Sequence, residues 1–344
     1  MSAPTSNLTS VPRPTTMRAI VRDRYGVAGD VLRLEEIARP VAGDDQVLLR
    51  VHAAGVGRDV WHTTTGRPLA IRLAGYGVRV PKVRTPGSDV AGTVVAVGKD
   101  VTTAAVGDEV FGVGIGSFAE YAVASASKIA PKPANLTFEQ AAATPITALT
   151  ALQSLRDRGE VRSGQHVLVI GASGGVGSFA AQIAKAFGAE VTGVCSTAKV
   201  EMVRALGVDH VIDYQVDHFA DGGRRYDVII DVGGNSRLSD LRRALTAHGT
   251  LVIAGGETEG LLLGGAGRQV RAVTMSPFLG QRLRTVLCSH NREDLVTLTE
   301  LIEAGSVTPA IGSTYPLSDA ATALQHVADG RARGKVVIRV ADGG

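Results

Sequence analysis

The chain has 344 residues, 44% of them hydrophobic and 20% charged, with a formal net charge of +3. That length holds two domains with separate cores, in a composition typical of globular proteins. The small charge and the absence of a basic run argue against nucleic acid, and no apolar stretch reaches the length of a membrane span.

Residues 1–16, rich in Ser, Thr and Pro, lack the apolar core of a secretory signal and read as a disordered tail, with a transit peptide as the alternative. From Met17 the chain reads as short strands broken at turn residues: MRAIVRDRYG, Leu32 to Glu36 and Val47 to His52, with Gly43, Asp44 and Asp45 between the last two. Residues 87–102 and 106–125 continue in the same manner, which predicts a compact β-rich domain over 17–146. At Thr137 the pattern turns helical, with Thr137 and Gln140 placed as a capping box and a second helix from about Ala148 to Arg158. Strands then alternate with helices: strands at 166–170, 190–194, 210–213, 226–232, 250–254 and 284–289, with helices near 198–206, 236–247 and 293–304. Beyond 308 strands return, followed by a short helix (318–329) and the strand from Lys335 to Val340. The expected fold is α/β: a Rossmann-type doubly wound parallel sheet over 147–307, inserted into a β-rich domain that residues 308–344 complete.

The stretch from Gly164 to Lys199 carries the most chemistry. An apolar run, His166 to Ile170, stops at Gly171-Ala172-Ser173-Gly174-Gly175-Val176-Gly177, and Phe179, Ile183 and Phe187 follow at helical spacing. Gly174 lets the backbone approach a pyrophosphate, and Gly177 lets the helix pack close to the strand. The amides of Gly175 to Gly177 open the helix with the positive end of its dipole toward phosphate. At the end of the second strand, where NAD sites place Asp or Glu, stand Cys195-Ser196-Thr197-Ala198-Lys199. A carboxylate there would cost about 4 kcal/mol against a 2′-phosphate at ~4 Å and an effective dielectric of 20. The expected cofactor is NADPH. Cys195 and Cys288 fit no metal or disulfide framework, and a reducing compartment, the cytoplasm, suits them.

These residues resemble the medium-chain dehydrogenase/reductase superfamily, in its zinc-free quinone oxidoreductase-like branch. The resemblance rests on GSDVAGTVVAVG (87–98), VGDEVFG (106–112), SFAEYAV (117–123), LTALQ (149–153), GASGGVG (171–177), VIDY (211–214) and RARGKVVI (331–338). It implies that the β-rich part is a GroES-like catalytic domain. It also places Gly57 and Ser88-Asp89 where zinc-dependent relatives carry a Cys and a His-Glu pair, so no metal is expected. The segment Val56 to His62 is placed beside the nicotinamide. Within it Asp59 is open between a catalytic role and a bridge to Arg58 or a turn cap, Trp61 between pocket wall and core, and His62 between proton donor and a structural place. By position, Ser196, Thr197, Lys199 and Tyr214 surround the 2′-phosphate, and Thr150 stands near the nicotinamide. Gly255 and Gly256 underlie its ribose, Phe278 flanks the substrate, and Lys335 borders the cofactor cleft. Loop 66–86, with its five basic residues, is open between solvated loop, lid and partner contact.

The expected activity is reduction of a quinone or other conjugated carbonyl, a small-molecule substrate. Without zinc nothing evident polarises an isolated ketone, whereas conjugation spreads the developing charge. Metal-free alcohol or ketone oxidoreduction and a non-catalytic NADPH-binding role are the alternatives. A homodimer is expected, with the strand at 284–289 on a sheet edge that invites pairing.

Overall fold

The computed structural model describes residues 15–255 and 266–340. In its central strands, successive side chains alternate between two apolar cores. Val167 and Val169 of strand His166–Ile170 enter one cluster, and Leu168 and Ile170 enter the other. Val228 and Ile230 against Ile229 repeat this in Tyr226–Asp231. A strand with two apolar faces needs helices on both. Pro145–Gln153, Gly175–Ala186 and Arg292–Glu303 cover one face, Leu238–Ala244 and Ala266–Met275 the other.

Six parallel strands lie in the order His210–Asp213, Glu190–Cys195, His166–Ile170, Tyr226–Asp231, Leu245–Ile253, Arg282–Thr285. Counted along the chain from His166–Ile170, this is the doubly wound Rossmann order, and it reverses between His166–Ile170 and Tyr226–Asp231. Such a reversal leaves a crevice at the carboxyl ends of the two strands. A second, seven-stranded sheet runs Ile311–Pro316, Lys335–Arg339, Gln46–Val56, Asp89–Val97, Glu109–Val113, Ile129–Pro131, with Tyr121–Ser125 also paired to Gln46–Val56. Its last two strands in the chain follow the parallel sheet, so the Rossmann sheet is inserted within the GroES-like one. Ala53, Ala91, Phe111 and Val337 of this second sheet share the apolar cluster of the first, which ties the two units together.

The expected elements recur with shifted ends. Thr137 caps its helix through the Gln140 amide and receives Gln140 in return, as the capping box requires. The following helix ends at Gln153 instead of Arg158, continuing as a π turn over Ser154–Gly159. The edge strand is Arg282–Thr285, not 284–289. The Gln153 side chain both donates to the Ser289 carbonyl (2.7 Å) and accepts from its amide (2.9 Å), which draws that segment off the sheet. Helix Leu238–Ala244 is shorter than expected and passes directly into Leu245–Ile253. Thr16 already belongs to the strand Thr16–Val21, so the first strand begins inside the span read as a tail. No helix among the described residues is long and apolar enough to cross a membrane.

Candidate active site

The crevice at the strand reversal is a cleft of about 910 Å³ between the two units. Ile170, Gly171, Val232 and Gly233 form its floor, while Gly57, Arg58, Gly334 and Lys335 of the GroES-like unit form the facing wall. Such a volume lies at the upper end for ligand sites.

The turn after His166–Ile170 has the form a diphosphate needs. Gly171 adopts φ +84°, a left-handed conformation that favours glycine. Helix Gly175–Ala186 has no side-chain cap at Gly174, which leaves its first amides for a ligand. A Cβ on Gly174 would meet nothing nearer than the Gly171 carbonyl at 3.3 Å, so this backbone is open on the cleft side. Gly177 does the opposite: a Cβ there would strike the Gly171 carbonyl oxygen and lie 2.7 Å from its carbon. Ser173, Gly174, Gly175 and Val176 all line the cleft. A dinucleotide pyrophosphate fits this cradle.

On one side of the cradle stand Lys199 and Tyr214, after the strands Glu190–Cys195 and His210–Asp213, where the adenosine half belongs. Lys199 Nζ donates to the Ala332 carbonyl (2.8 Å). Burial, with Arg333 beside it, pulls the Lys199 ammonium below its ordinary pKa. Thr197 Oγ1 donates to Gln215 Oε1 (2.8 Å), and neither Ser196 nor Thr197 lines the cleft.

The facing side of the cleft holds a buried ionic cluster. Lys335 runs its stem across Gly175, where a Cβ would come 3.1 Å from Lys335 Cδ, and its Nζ lies 3.0 Å from Asp89 Oδ2. Lys335 and Asp89 are 3% and 2% exposed, so this ion pair is out of water. Asp89 Oδ1 also accepts from the Ile146 amide (2.8 Å). Asp59, part-buried at the start of helix Arg58–Thr65, turns its carboxyl onto Gly57, where a Cβ would collide with Asp59 Oδ1 and stand 3.9 Å from Lys335 Nζ. Burial and then the charge of Asp89 hold the Asp59 carboxyl up at about 6, against the Lys335 ammonium, the Val60 amide and the Ser88 hydroxyl.

Other expected residues lie apart from the cleft lining. Trp61 packs against the GroES-like core with Arg58 over its ring at 5.6 Å, and His62 Nδ1 is 2.7 Å from the Arg67 carbonyl. Thr150 Oγ1 donates to the Ile146 carbonyl (2.7 Å). Gly255 abuts Val232, with its amide 3.2 Å from the Asp231 carbonyl, and Phe278 is 88% exposed. Gly256 lies outside the described residues. Sequence reasoning missed the loop Gly233–Arg237, which lines the cleft after Tyr226–Asp231. It is pinned from below by Asp231, which accepts from the Gly234 amide (3.2 Å) and pairs with Arg268, whose other nitrogen donates to the Ser236 carbonyl (2.7 Å). Burial raises the Asp231 pKa. The signal available was position alone, a loop at the carboxyl end of a strand beside the reversal.

Zinc does not fit these residues. Gly57 has no side chain, Ser88 supplies a poor ligand, and Asp89 is already held by an ammonium. Among the described residues no group of three or more His, Cys, Asp or Glu is placed to hold a metal.

Known proteins resemble this chain along nearly its whole length. The profile of a family described as alcohol dehydrogenase GroES-like domain matches residues 43–134, and that of a zinc-binding dehydrogenase family matches 206–338. The mitochondrial NAD(P)H oxidoreductase RTN4IP1 of Bos taurus is 34% identical over 96% of this chain and 91% of its own length. The 2-methylene-furan-3-one reductase of Solanum lycopersicum is 35% identical over 96% and 81%. The quinone oxidoreductase of Homo sapiens is 33% identical over 94% and 97%. A mycobacterial protein solved in complex with NADPH superposes with a TM-score of 0.80 at 28% identity, covering 94% of this chain and 100% of that one. By fold, cleft and relatives together, the chain belongs to the medium-chain dehydrogenase/reductase superfamily, in its quinone oxidoreductase-like branch.

Proposed function

We propose that this protein is an NADPH-dependent reductase that delivers hydride to a quinone or other conjugated carbonyl without a metal. The observation that carries the reading is the facing wall of the cleft, where Gly57 offers no ligand and Asp89, at a position that carries a ligand in zinc-dependent relatives, is neutralised by Lys335. The bound dinucleotide supplies the hydride. Ser173, Gly174, Gly175 and Val176 hold its diphosphate and Gly177 fixes the helix beneath them. Lys199 and Tyr214, which line the cleft, take the 2′-phosphate. Gly57 and Arg58 of the facing wall, with Thr147, border the nicotinamide side. The wall of the GroES-like unit excludes water and holds the acceptor close, and such positioning is worth roughly 7–11 kcal/mol of barrier. A conjugated acceptor spreads its developing charge, so it does not need the Lewis acid that this site lacks.

NADPH is expected to bind more tightly than NADH. Lys199→Ala should weaken NADPH by about tenfold, the worth of one charge-assisted contact, and leave NADH nearly unchanged. Calorimetric dissociation constants for the two cofactors measure this, and equal affinities in the native protein would remove the NADPH assignment. Arg282–Thr285 is the last strand of its sheet among the described residues, and that edge, with Leu287 88% exposed beside it, supports a homodimer. A monomeric mass by light scattering at micromolar concentration contradicts that. Both cysteines are free, in keeping with a cytoplasmic setting.

A further inference from the structure

We propose that Asp59 and Asp89, two carboxylates gathered beside the Lys335 ammonium at the nicotinamide end of the cleft, form a proton site coupled to the redox state of the cofactor. The pair holds a proton when the dinucleotide is reduced and releases it when the dinucleotide is oxidised. This rests on the cofactor reading above and adds to it the origin of the proton that reduction consumes.

The argument begins with charge. Two ionised carboxylates against one ammonium leave a net charge of −1 in a water-poor wall, and one added proton removes it. Asp89 is engaged by Lys335 Nζ at 3.0 Å and by the Ile146 amide at 2.8 Å. The proton therefore belongs on Asp59, whose carboxyl burial already holds near 6. The surrounding groups leave this balance intact. Cys288 and His290 lie within electrostatic reach of Asp89 from the segment after the edge strand; burial pushes the thiol up to about 11 and lowers the imidazole. Lys128 adds to the lowering of His290. On the helix of Asp59, Arg58 keeps its positive charge over the Trp61 ring at 5.6 Å and is not among the charges that act on the Asp59 carboxyl, and His62 is engaged with the Arg67 carbonyl.

A reduced nicotinamide ring is neutral and an oxidised one carries a positive charge. A positive charge at a separation of about 10 Å and an effective dielectric of 20 would favour the ionised pair by about tenfold or somewhat more. The balance then closes over one cycle. Hydride adds to the β-carbon of the conjugated carbonyl, and the π electron pair moves onto the oxygen as an enolate. The proton released by the pair completes the α-carbon. The pair regains a proton from solvent when reduced cofactor replaces oxidised. Gly57 makes this arrangement possible, because any larger residue would push Asp59 out of the wall.

The test measures dissociation constants for NADP⁺ and NADPH between pH 5.5 and 8 in the native protein and in Asp59→Asn. The 2′-phosphate is common to both ligands, so its own titration cancels in their ratio. In the native protein the Kd of NADP⁺ relative to NADPH should fall by about tenfold as pH rises through 6, while Asp59→Asn should show a flat ratio. Should the variant not fold, calorimetry of the native protein near pH 6 in two buffers of different ionisation enthalpy replaces it. Net proton uptake when NADPH displaces NADP⁺ supports the proposal, and none overturns it. A pH-independent ratio in the native protein, or an unchanged slope in Asp59→Asn, also overturns it with the cofactor reading intact. Failure of either dinucleotide to bind at any pH overturns both.

Discussion

Lys335→Met is expected to lower the unfolding free energy by about 3–5 kcal/mol, the cost of leaving a buried charge without its partner. Asp89 is 2% exposed, and after the substitution its Oδ2 has no cation within reach while Oδ1 keeps only the Ile146 amide. Asp59 compounds the loss, since it too is held down by Lys335. The double variant Lys335→Met/Asp89→Asn should recover most of the stability, because an Asn carbonyl still accepts from Ile146 and carries no charge. Chemical denaturation of the four proteins of this cycle measures the coupling. Equal stability of Lys335→Met and the native protein would mean that the pair is not buried as described.

Gly177→Ala should be nearly as damaging to cofactor binding, although it adds one methyl group. Its Cβ would strike the Gly171 carbonyl and crowd Ala172 Cα at 2.9 Å, and all of these are backbone atoms fixed by sheet and helix. The helix must withdraw from the strand, which costs about 1–3 kcal/mol as overpacking. It also moves the amides of Gly175 and Val176 away from the diphosphate, so NADPH affinity should fall by about tenfold or more. Gly175→Ala is the control. Its Cβ meets Lys335 Cδ at 3.1 Å and Thr147 Cγ2 at 3.2 Å, and the lysine stem yields where backbone does not. Titration of NADPH against the two variants ranks them, and a greater loss at Gly175 would contradict this account of the turn.

The fold was legible because its decisive features are local. An apolar strand, a glycine turn and a helix in immediate succession identify the dinucleotide turn, and Thr137 with Gln140 marks a helix start by chemistry that needs no tertiary context. Boundaries failed where distant residues intervene, as where Gln153 captures Ser289 and shortens the edge strand. The glycine turn that lines the cleft was legible for the same local reason, and Lys199 and Tyr214 line the cleft beside it whereas Ser196 and Thr197 do not. The opposite end was not legible. Asp59, Asp89 and Lys335 come together from three separate stretches of the chain, and no spacing in the sequence announces that two carboxylates gather beside one ammonium. The Asp231–Arg268 support under the cleft loop was hidden likewise, by 37 positions of separation.

The most direct measurement is steady-state NADPH oxidation after exhaustive chelation, against a panel of small quinones, enones, isolated ketones and alcohols, with elemental analysis of the same sample. The account predicts turnover with quinones or enones that survives chelation, and none with isolated ketones or alcohols. Stoichiometric zinc, with ketone or alcohol turnover that chelation abolishes, would contradict it.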